Sequence, residues 1–438
     1  MSYTTISSSL FNLSFILICD DFMINKNLKE RIFRRIDSYV DDMIDLQIKL
    51  TAIPALGPDN QGPGEKEKAD FLREYLVKSG FPEVVEINAP DGRVPCGYRP
   101  NLLVGCPGKH SEHKVWILTH TDIVPPGEMG LWSEDPYRGY VKDGCIYGRG
   151  TEDNQQDLVA SLFAAKAFLD EKILPENSIG LAFVADEETS SRWGLDYVLQ
   201  HPQNPFTKGD WIVVPDSGEP DGSAIEIAEK SILWLRFTAK GVQCHGSRPA
   251  LGKNAFLASS YLIVALQSLY KKFPRRDRLY NPPESTFQPT RKEANLASVN
   301  TIPGEDIFFM DCRILPQYDL ADVMEEIRRL AELVAKRFQV TIDIEPVQFV
   351  QAPQPTPKDA AIVLALTKAI KDVYHVRGHI VGVGAGTVAA VFRKYGYKAV
   401  VWSKLRYKAH QPDESCLISN MVGNAKVFAH LMLQTSPR

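Results

Sequence analysis

DLVASLFAAKAFL at residues 157–169 and IGLAFVA at residues 179–185 decide the fold class of this chain. The first segment predicts a helix, and the second is a short apolar run typical of a buried strand. Similar apolar runs lie at Asn101–Gly105, Val115–Thr119 and Trp211–Pro215. Short buried strands that alternate with helices predict an α/β fold, in which helices cover both faces of a largely parallel sheet.

Two helices are predicted before this region. Regularly spaced apolar residues mark one helical face over Glu30–Leu50, and Pro54 ends that helix. The second helix is predicted over Glu65–Ser79. Gly80 follows it, at a position where helices commonly end on a glycine with a left-handed backbone.

The sequence pattern changes near residue 231, where six elements follow as strand, helix, strand, strand, helix and strand. Their predicted bounds are Ile232–Lys240, Asn254–Lys272, Ala297–Thr301, Asp306–Leu315, Asp319–Phe338 and Val340–Val347. This order predicts a ferredoxin-like β-α-β-β-α-β sandwich.

The alternation of strands and helices resumes after the proline-rich segment Ala352–Pro357. The predicted bounds of the elements before the final helix are Asp359–Val373, His379–Val383, Val388–Tyr395 and Lys398–Trp402. One α/β domain, formed by residues 23–230 and 354–438, is thus predicted to be interrupted by a smaller domain at residues 231–353. The crevice between two domains is a common place for a ligand site.

The composition is that of a soluble globular enzyme. Of the 438 residues, 44% are hydrophobic and 24% are charged, and the formal net charge is −4. Proteins that bind nucleic acid usually carry a clearly basic face, so this charge argues against such a partner. The seven cysteines are scattered, without a Cys-x-x-Cys pair. This pattern excludes a disulfide framework and a thiolate zinc finger, and it predicts a cytoplasmic protein.

The first residues are expected to lie outside the folded protein. Leu10–Cys19 is apolar but only ten residues long, whereas a membrane-spanning helix needs about 20. No Lys or Arg precedes this segment, which disfavours a secretory signal. We therefore expect residues 1–22 to be a non-native or disordered extension, Met23 to be the native start, and the protein to make no membrane contact.

Two polar clusters directly follow predicted strands. His120 could bind a metal through one ring nitrogen while Asp122 orients the ring. Glu187 and Glu188 follow another strand, where adjacent acids are costly unless a cation neutralises them. One of the two could bind a metal and the other hold a proton. A single histidine or acid in such a place is more often an ordinary loop residue.

Three further clusters contain candidate ligands. Asp153 follows a Gly-Arg-Gly turn at the start of a helix, where by itself it would be an N-cap. Asp216 and Glu219 follow an apolar strand, and His410 lies in the loop before the last helix. Each cluster alone is a weak indication of function.

Taken together, the order and spacing of these clusters resemble the dinuclear zinc hydrolases. That family contains succinyl-diaminopimelate desuccinylase, acetylornithine deacetylase, aminoacylase, carboxypeptidase G and several di- and tripeptidases. Further matching motifs are Trp132 with Asp135–Tyr137, Asp143–Gly144 and Asn300–Gly304. The resemblance covers roughly Asp37 to the end of the chain, and it includes the inserted domain where the family has its lid.

The resemblance implies two metal sites that share Asp153. His120 and Asp216 would complete one site, and Glu188 and His410 would complete the other. Carboxylate and imidazole ligands without a thiolate fit two Zn²⁺ ions, with Co²⁺ or Mn²⁺ as substitutes.

The resemblance also implies catalytic and substrate-binding roles. Glu187 would be the general base. His245 resembles the lid histidine that reaches over the substrate carbonyl, in dimeric members from the other subunit, and it would stabilise the oxyanion. Asn300 and Arg313, on paired lid strands, would hold a substrate carboxylate. Gly386, in a glycine-rich turn, would line the cleft.

The fourth ligand has two candidates. Counting forward from Asp210 puts the family's acid at Asp216, whereas counting back from Lys230 puts it at Glu219. We prefer Asp216 because it lies at a strand end, where the backbone is well fixed. In the family, Asp at this position is more usual in peptidases and Glu in deacylases.

The implied activity is hydrolysis of the amide bond of a small N-acyl amino acid, as in deacylases and desuccinylases. The alternatives are a dipeptidase or exopeptidase of the same family and a non-catalytic relative that only binds a ligand. GAGTVA at residues 384–389 matches a dinucleotide motif. No acid ends the next strand at residues 402–404, which argues against a nicotinamide enzyme. Family members often pair through the lid, which implies a homodimer.

Overall fold

The computed structural model describes residues 25–82 and 84–435. The expectations for residues 1–22 and for Met23 therefore lie outside the described residues. Within the described ranges, no helix is both long enough and apolar enough to cross a membrane. The six cysteines that the structure describes are all free thiols.

The described chain divides into two compact units. The first, called the α/β unit, contains the described residues up to Ile227, Thr356–Ile380 and the described residues from Thr387 onward. The second, called the insert unit, contains Ala228–Pro355 and the short segment Val381–Gly386. The sequence pattern places that short segment in the α/β domain, whereas here it groups with the insert unit.

Helices in both units are numbered in chain order. They are α1 Lys26–Asp37, α2 Val40–Thr51, α3 Lys66–Lys78, α4 Gln156–Glu171, α5 Leu195–Gln200, α6 Ala255–Leu266, α7 Leu269–Lys272, α8 Leu320–Phe338, α9 Ala361–Tyr374, α10 Ala389–Lys394 and α11 Ile418–Leu433. The predicted helix over Asp319–Phe338 is present as α8, and Asp319 is its N-cap, because its side chain accepts the Ala321 N–H over 2.7 Å.

Strands are numbered in the same way. They are β1 Val84–Pro90, β2 Tyr98–Cys106, β3 His110–His120, β4 Tyr140–Lys142, β5 Cys145–Tyr147, β6 Asn177–Val184, β7 Trp211–Glu219, β8 Ala224–Glu229, β9 Ser231–Lys240, β10 Cys244–His245, β11 Thr286–Lys292, β12 Thr301–Ile302, β13 Glu305–Ile314, β14 Thr341–Val350, β15 His379–Val383, β16 Ala399–Lys404 and β17 Ser415–Leu417.

An eight-stranded sheet, which lies mainly in the α/β unit, has the spatial order β1-β2-β6-β3-β7-β16-β8-β15. The four consecutive strands β6, β3, β7 and β16 run parallel. The pairs β1–β2, β2–β6 and β16–β8 are antiparallel. The predicted α/β fold with a largely parallel sheet is therefore confirmed. Every residue of β6 is buried, as expected for a strand covered on both faces.

Two of the predicted helices are each divided in the structure. Glu30–Leu50 overlaps both α1 and α2, and Asn254–Lys272 contains α6 and α7. At each break a serine hydroxyl donates to the carbonyl three residues earlier, over 2.6 Å for Ser38 and 2.7 Å for Ser268. Serine competes in this way with the regular helical hydrogen bonds, a local effect that apolar spacing does not report.

The insert unit contains a four-stranded antiparallel sheet in the order β11-β13-β9-β14, with α6 and α8 packed on it. Leu233, Leu235 and Phe237 alternate along β9 and enter one core with Leu262 of α6 and Ile327 of α8. The predicted β-α-β-β-α-β order is confirmed.

The predicted position of the second strand of the insert sheet is wrong. Ala297–Thr301 is not a strand of this sheet, and Thr286–Lys292 takes the position instead as β11. Only Phe287 of β11 is fully buried, and the strand carries Pro289 at a register shift. Proline and exposed polar residues are common on edge strands, and here they hide the alternation that marks a strand.

Candidate metal centre

The carboxyl ends of three parallel strands collect candidate ligands. His120 is the last residue of β3, Glu187 and Glu188 follow β6, and Asp216 lies near the end of β7. Asp153 lies in the distorted turn that precedes α4. Because the carboxyl ends of parallel strands meet at one edge of the sheet, this is where α/β folds usually bind ligands.

The first ligand group surrounds the buried ring of His120. Its Nε2 lies 3.0 Å from Asp153 Oδ1 and 3.3 Å from Asp216 Oδ1. Asn154 Nδ2 donates to the same Asp216 oxygen over 3.0 Å, which fixes that carboxylate. His120, Asp153 and Asp216 therefore present three ligand atoms within 4.8 Å of one another.

The second ligand group surrounds His410, in the loop between β16 and β17. Its Nε2 lies 3.1 Å from Asp153 Oδ2 and 3.1 Å from Glu188 Oε2. These three ligand atoms also lie within 4.8 Å of one another. The two carboxylate oxygens of Asp153 thus face two different histidines, as a bridging ligand requires.

The donor set fits two divalent cations. It contains only imidazole nitrogen and carboxylate oxygen, the ligands that Zn²⁺ and related metals accept in hydrolases. Glu188 Oε1 is buried and accepts no hydrogen bond from any residue that the structure describes. A buried oxygen without a donor costs free energy, and a cation in the second group would compensate it.

The electrostatics of the cluster also suit a cation. Hydrogen bonds to Asp153 and Glu188 raise the pKa of His410 to about 10. Burial lowers the pKa of His120, but hydrogen bonds to neighbouring carboxylates raise that pKa well above its ordinary value. Burial, followed by the charge of Asp153, raises the pKa of Glu188 to about 7. The carboxylates hold protons on both histidines, and bound metal cations would take over that neutralising role.

Asp122 organises the surroundings of His120. The ring Nδ1 lies 3.0 Å from the main-chain oxygen of Asp122 and 3.5 Å from its carboxylate Oδ1. The same carboxylate accepts the main-chain N–H groups of Glu187 and Glu188. Asp122 therefore holds the imidazole mainly through its carbonyl and uses its carboxylate to fix the two glutamates.

Glu187 directly precedes the ligand Glu188, but it belongs to neither ligand group found in the part of the chain that the structure describes. Burial and the nearby charge of Asp216 raise its pKa well above the ordinary value for glutamate. Its main chain is held by the same Asp122 carboxylate as that of the neighbouring ligand Glu188.

Glu219, the alternative fourth ligand, is in a different environment. Its side chain is 41% exposed, and it accepts a hydrogen bond from the Ser223 hydroxyl over 3.2 Å. It belongs to neither ligand group found among the described residues. Of the two candidates, Asp216 is the one that the structure places at His120.

Sequence reasoning did not single out Glu414 or Arg149 as parts of the site. Arg149 is buried, and its Nη1 donates to Glu414 Oε2 over 2.5 Å. Glu414 Oε1 accepts the Asp153 main-chain N–H over 3.1 Å. The signal was available, because Arg149 lies within the Gly-Arg-Gly turn and Glu414 within the His410 loop. The pair fixes the backbone of Asp153.

His245 and Asn300 are neighbours in the insert unit. His245 is exposed on β10, which pairs with β12 through His245 and Thr301. The Gly246 N–H donates to the Asn300 carbonyl over 2.6 Å, and the Ser247 N–H donates to His245 Nδ1 over 3.1 Å. The His245 ring is therefore held through Nδ1, which leaves Nε2 as the ring nitrogen available to a ligand.

Arg313 lies elsewhere in the insert unit, on β13. Asn300 precedes β12, which pairs with β10, so the expectation that Asn300 and Arg313 lie on paired strands is wrong. Arg313 donates to both carboxylate oxygens of Asp311, over 2.7 and 3.0 Å, and to the Gly384 carbonyl over 2.8 Å. Gly386 is exposed in the turn that begins at Gly384.

Known proteins resemble this chain over most of its length. The sequence model of Peptidase family M20/M25/M40 matches residues 116–434. An uncharacterised metallohydrolase of Methanococcus maripaludis is 37% identical over 420 residues, covering 90% of this chain and 99% of that protein. A succinyl-diaminopimelate desuccinylase of Polynucleobacter necessarius is 23% identical over 376 residues, covering 85% and 94%.

Solved structures show the same fold. The aminopeptidase PepT from Bacillus cereus superposes with a TM-score of 0.71 at 18% identity, covering 94% of this chain and 98% of that one. The chain therefore belongs to peptidase family M20/M25/M40 and is a metal-dependent hydrolase of the dinuclear type.

Proposed function

We propose that this protein hydrolyses the amide bond of a small N-acyl amino acid, using two Zn²⁺ ions for which Co²⁺ or Mn²⁺ can substitute. The observation that carries the proposal is the position of Asp153, whose two oxygens lie 3.0 and 3.1 Å from His120 and His410. His120 and Asp216 would hold one ion, Glu188 and His410 the other, and Asp153 both.

The chemistry is that of an activated water. A metal pair in such a site lowers the pKa of a water molecule and polarises the substrate carbonyl. Glu187 would take the proton from the water as its oxygen attacks the carbonyl carbon. It would then give that proton to the nitrogen of the leaving amine as the C–N bond breaks. Asp122 holds the Glu187 main chain, which positions the carboxylate for both transfers.

The insert unit would supply the substrate contacts. His245 would donate from Nε2 to the carbonyl oxygen as negative charge develops on it. Arg313 suits the bidentate binding of a substrate carboxylate, with Asn300 and the turn at Gly386 as further contacts. Because Asp311 already occupies two donors of Arg313, a carboxylate would have to compete with Asp311 or use the remaining donors.

A dipeptidase is the second candidate, and one observation favours it. The residue that contacts His120 is Asp216 and not Glu219, and in the resembling family an Asp here is more usual in peptidases. Deacylases and dipeptidases break the same kind of bond with the same machinery. They differ in the group on the acyl side of that bond, so substrate assays distinguish them.

The test is release of a primary amine by chelator-treated protein reconstituted with Zn²⁺ or Co²⁺. N-acetyl amino acids, N-succinyl amino acids and dipeptides serve as substrates, and Glu187→Gln serves as the inactive control. We expect turnover of N-acyl amino acids that is lost in the variant. Turnover of dipeptides alone would support the peptidase. Two bound metals without turnover of any substrate class would contradict both and favour a binding protein.

We further propose that the protein is a homodimer formed through the insert unit. Phe256, Leu257 and Val264 of α6 are between 45% and 71% exposed, an apolar surface that a second copy could cover. Sedimentation equilibrium of the protein and of Val264→Asp tests this, since a dimer through α6 would dissociate in the variant.

The cytoplasmic location stays a prediction.

A further inference from the structure

Glu152, the neighbour of Asp153, belongs to neither ligand group found among the described residues and is nevertheless buried, with 1% of its surface exposed. Its carboxylate accepts the main-chain N–H groups of Arg406, Lys408 and Ala409, the last over 3.0 Å. A buried carboxylate is stable when several backbone donors surround it. The Glu152 carboxylate is thus stabilised by backbone donors from one distant segment, residues 406–409.

That segment is the loop that presents His410. It runs from the end of β16 to the start of β17, so no strand ladder or helix holds residues 405–414 in place. Tyr407 and His410 both have a positive φ, of 62° and 61°. Residues other than glycine rarely adopt this backbone conformation without support from their surroundings. The position of the His410 ring therefore depends on contacts from outside the loop.

The contacts are reciprocal. Glu152 accepts three N–H groups from the loop, while Glu414, at the end of the loop, accepts the N–H groups of Glu152 and Asp153 over 3.0 and 3.1 Å. Each segment therefore anchors the backbone of the other through a buried carboxylate. The result is that the bridging ligand Asp153 and the loop ligand His410 are fixed relative to each other.

We propose that Glu152 is a positioning residue for the metal ligand His410. It shapes the loop so that the imidazole is presented to Glu188 and Asp153 before a metal binds. The inference rests on the proposed metal site and goes beyond it by assigning the organisation of one ion's ligands to a residue that touches neither ion's ligand atoms.

The proposal predicts unequal effects on the two ions. His120 and Asp216 lie on the strands β3 and β7, whose positions are set by the sheet. His410 lies on the loop and depends on Glu152. Loss of Glu152 should therefore weaken the binding of the ion held by Glu188 and His410. The binding of the ion held by His120 and Asp216 should not change. A general loss of folding would weaken both.

The experiment is calorimetric titration of chelator-treated protein with Zn²⁺ alone, repeated with Co²⁺ and its visible absorption. Wild type should bind two ions per chain. In Glu152→Gln the affinity for one ion should fall about 10–100-fold, the usual effect of disturbing a ligand's support, while the other stays within about threefold. Glu152→Asp, which keeps the charge, should recover part of the loss.

Asp157→Asn is the matched control. Asp157 is a nearby carboxylate in α4 and is as deeply buried as Glu152, but it accepts hydrogen bonds from Ser403 and Asn424. It should bind both ions like wild type. Amide hydrogen exchange of residues 406–409 without metal should be faster in Glu152→Gln and unchanged in the control.

Two results separate the possible failures. The role of Glu152 would be overturned if Glu152→Gln bound each ion as tightly as wild type does. It would also be overturned if the affinities for both ions fell by the same factor. Either result would leave the metal site itself standing. Fewer than two ions in wild type would overturn the proposed metal site itself, and the positioning role with it.

Discussion

The Glu187 main-chain N–H donates to the Asp122 carboxylate over 3.1 Å. The Glu188 N–H donates to the other oxygen of the same carboxylate, also over 3.1 Å. One buried side chain therefore fixes the backbone of two adjacent glutamates. Their side chains nevertheless differ, because the Glu188 carboxylate contacts His410. Among the described residues, neither ligand histidine makes such a contact with the Glu187 carboxylate. The two glutamates should therefore respond differently to the same substitution.

Glu187→Gln should lower kcat by about 10²–10⁴-fold, because the general base is lost. Metal content should stay at two ions per chain. Glu188→Gln should instead lower the metal content towards one ion, because the second group loses a charged ligand. Amine release and metal analysis on the same samples measure both effects. Turnover near the wild-type rate in Glu187→Gln would refute its assignment as the base.

Asp216→Asn should lower the affinity for one metal ion. The loss should exceed the roughly 10–100-fold that follows when a residue supporting a ligand is replaced, because Asp216 is itself a ligand. The reason is that Asp216 lies 3.3 Å from His120 Nε2 and supplies a charged oxygen to that group. Glu219→Gln is the control, since its side chain points to Ser223. Competition with a coloured chelator gives both affinities. A larger effect of the Glu219 substitution would reverse the assignment of the fourth ligand.

His245→Ala should lower kcat by about 10²–10³-fold, the usual loss when an oxyanion donor is removed. It should leave the binding of both metals unchanged, because His245 belongs to neither ligand group of the described residues. His113→Ala, at an exposed position of β3, should match wild type. Unchanged kcat in His245→Ala would exclude His245 from the reaction.

Lys68 provides a prediction about stability and pH. It is 1% exposed, and its Nζ makes no hydrogen bond to any residue that the structure describes. Burial lowers its pKa to about 8, although the charges of Asp122, Glu65 and Glu414 oppose the shift. The charged form is therefore destabilised by folding. At pH 7 the buried charge of Lys68 therefore lowers the free energy of unfolding by about 3 kcal/mol, because each unit of pKa difference corresponds to 1.36 kcal/mol.

The sign follows from proton linkage. Between pH 8 and 10.5 the unfolded chain keeps the Lys68 proton and the folded chain releases it, so this group makes the protein more stable as pH rises. Lys68→Met should abolish that contribution. Urea unfolding of metal-free protein at pH 7 and pH 9.5 should show the variant's advantage shrinking at the higher pH. An advantage independent of pH would contradict the prediction.

The sequence indicated most of the elements that have strong apolar patterns. β15 lies at the predicted residues His379–Val383, and α8 follows the amphipathic pattern of Asp319–Phe338. Several strands were missed, and two of them show why local pattern is not sufficient. Thr286–Lys292 is a polar edge strand, and Ala224–Glu229 is a short strand with two acids that pairs with β16 and lies far from it in sequence.

The residues of the site likewise divide into those that local sequence motifs indicate and those that they do not. Its five candidate ligands were found because each lies in a recognisable motif, and the structure brings all five together. Glu152 was passed over, because its importance comes from hydrogen bonds to residues about 254 positions away. Lys68 was missed for a related reason. Neither its burial nor the absence of a hydrogen-bond acceptor among the described residues can be read from the helix that carries it. Long-range polar contacts leave no local pattern in a sequence.

The strand order of the α/β unit has a consequence for how the protein is made on the ribosome. β16 (Ala399–Lys404) fills the place between β7 and β8, yet it is translated after all four strands of the insert sheet. The insert sheet can therefore fold while β7 still exposes an unpaired edge. An open parallel edge is prone to aggregation. Nascent chains arrested before residue 399 should accordingly recruit chaperones, and release should begin once β16 has emerged.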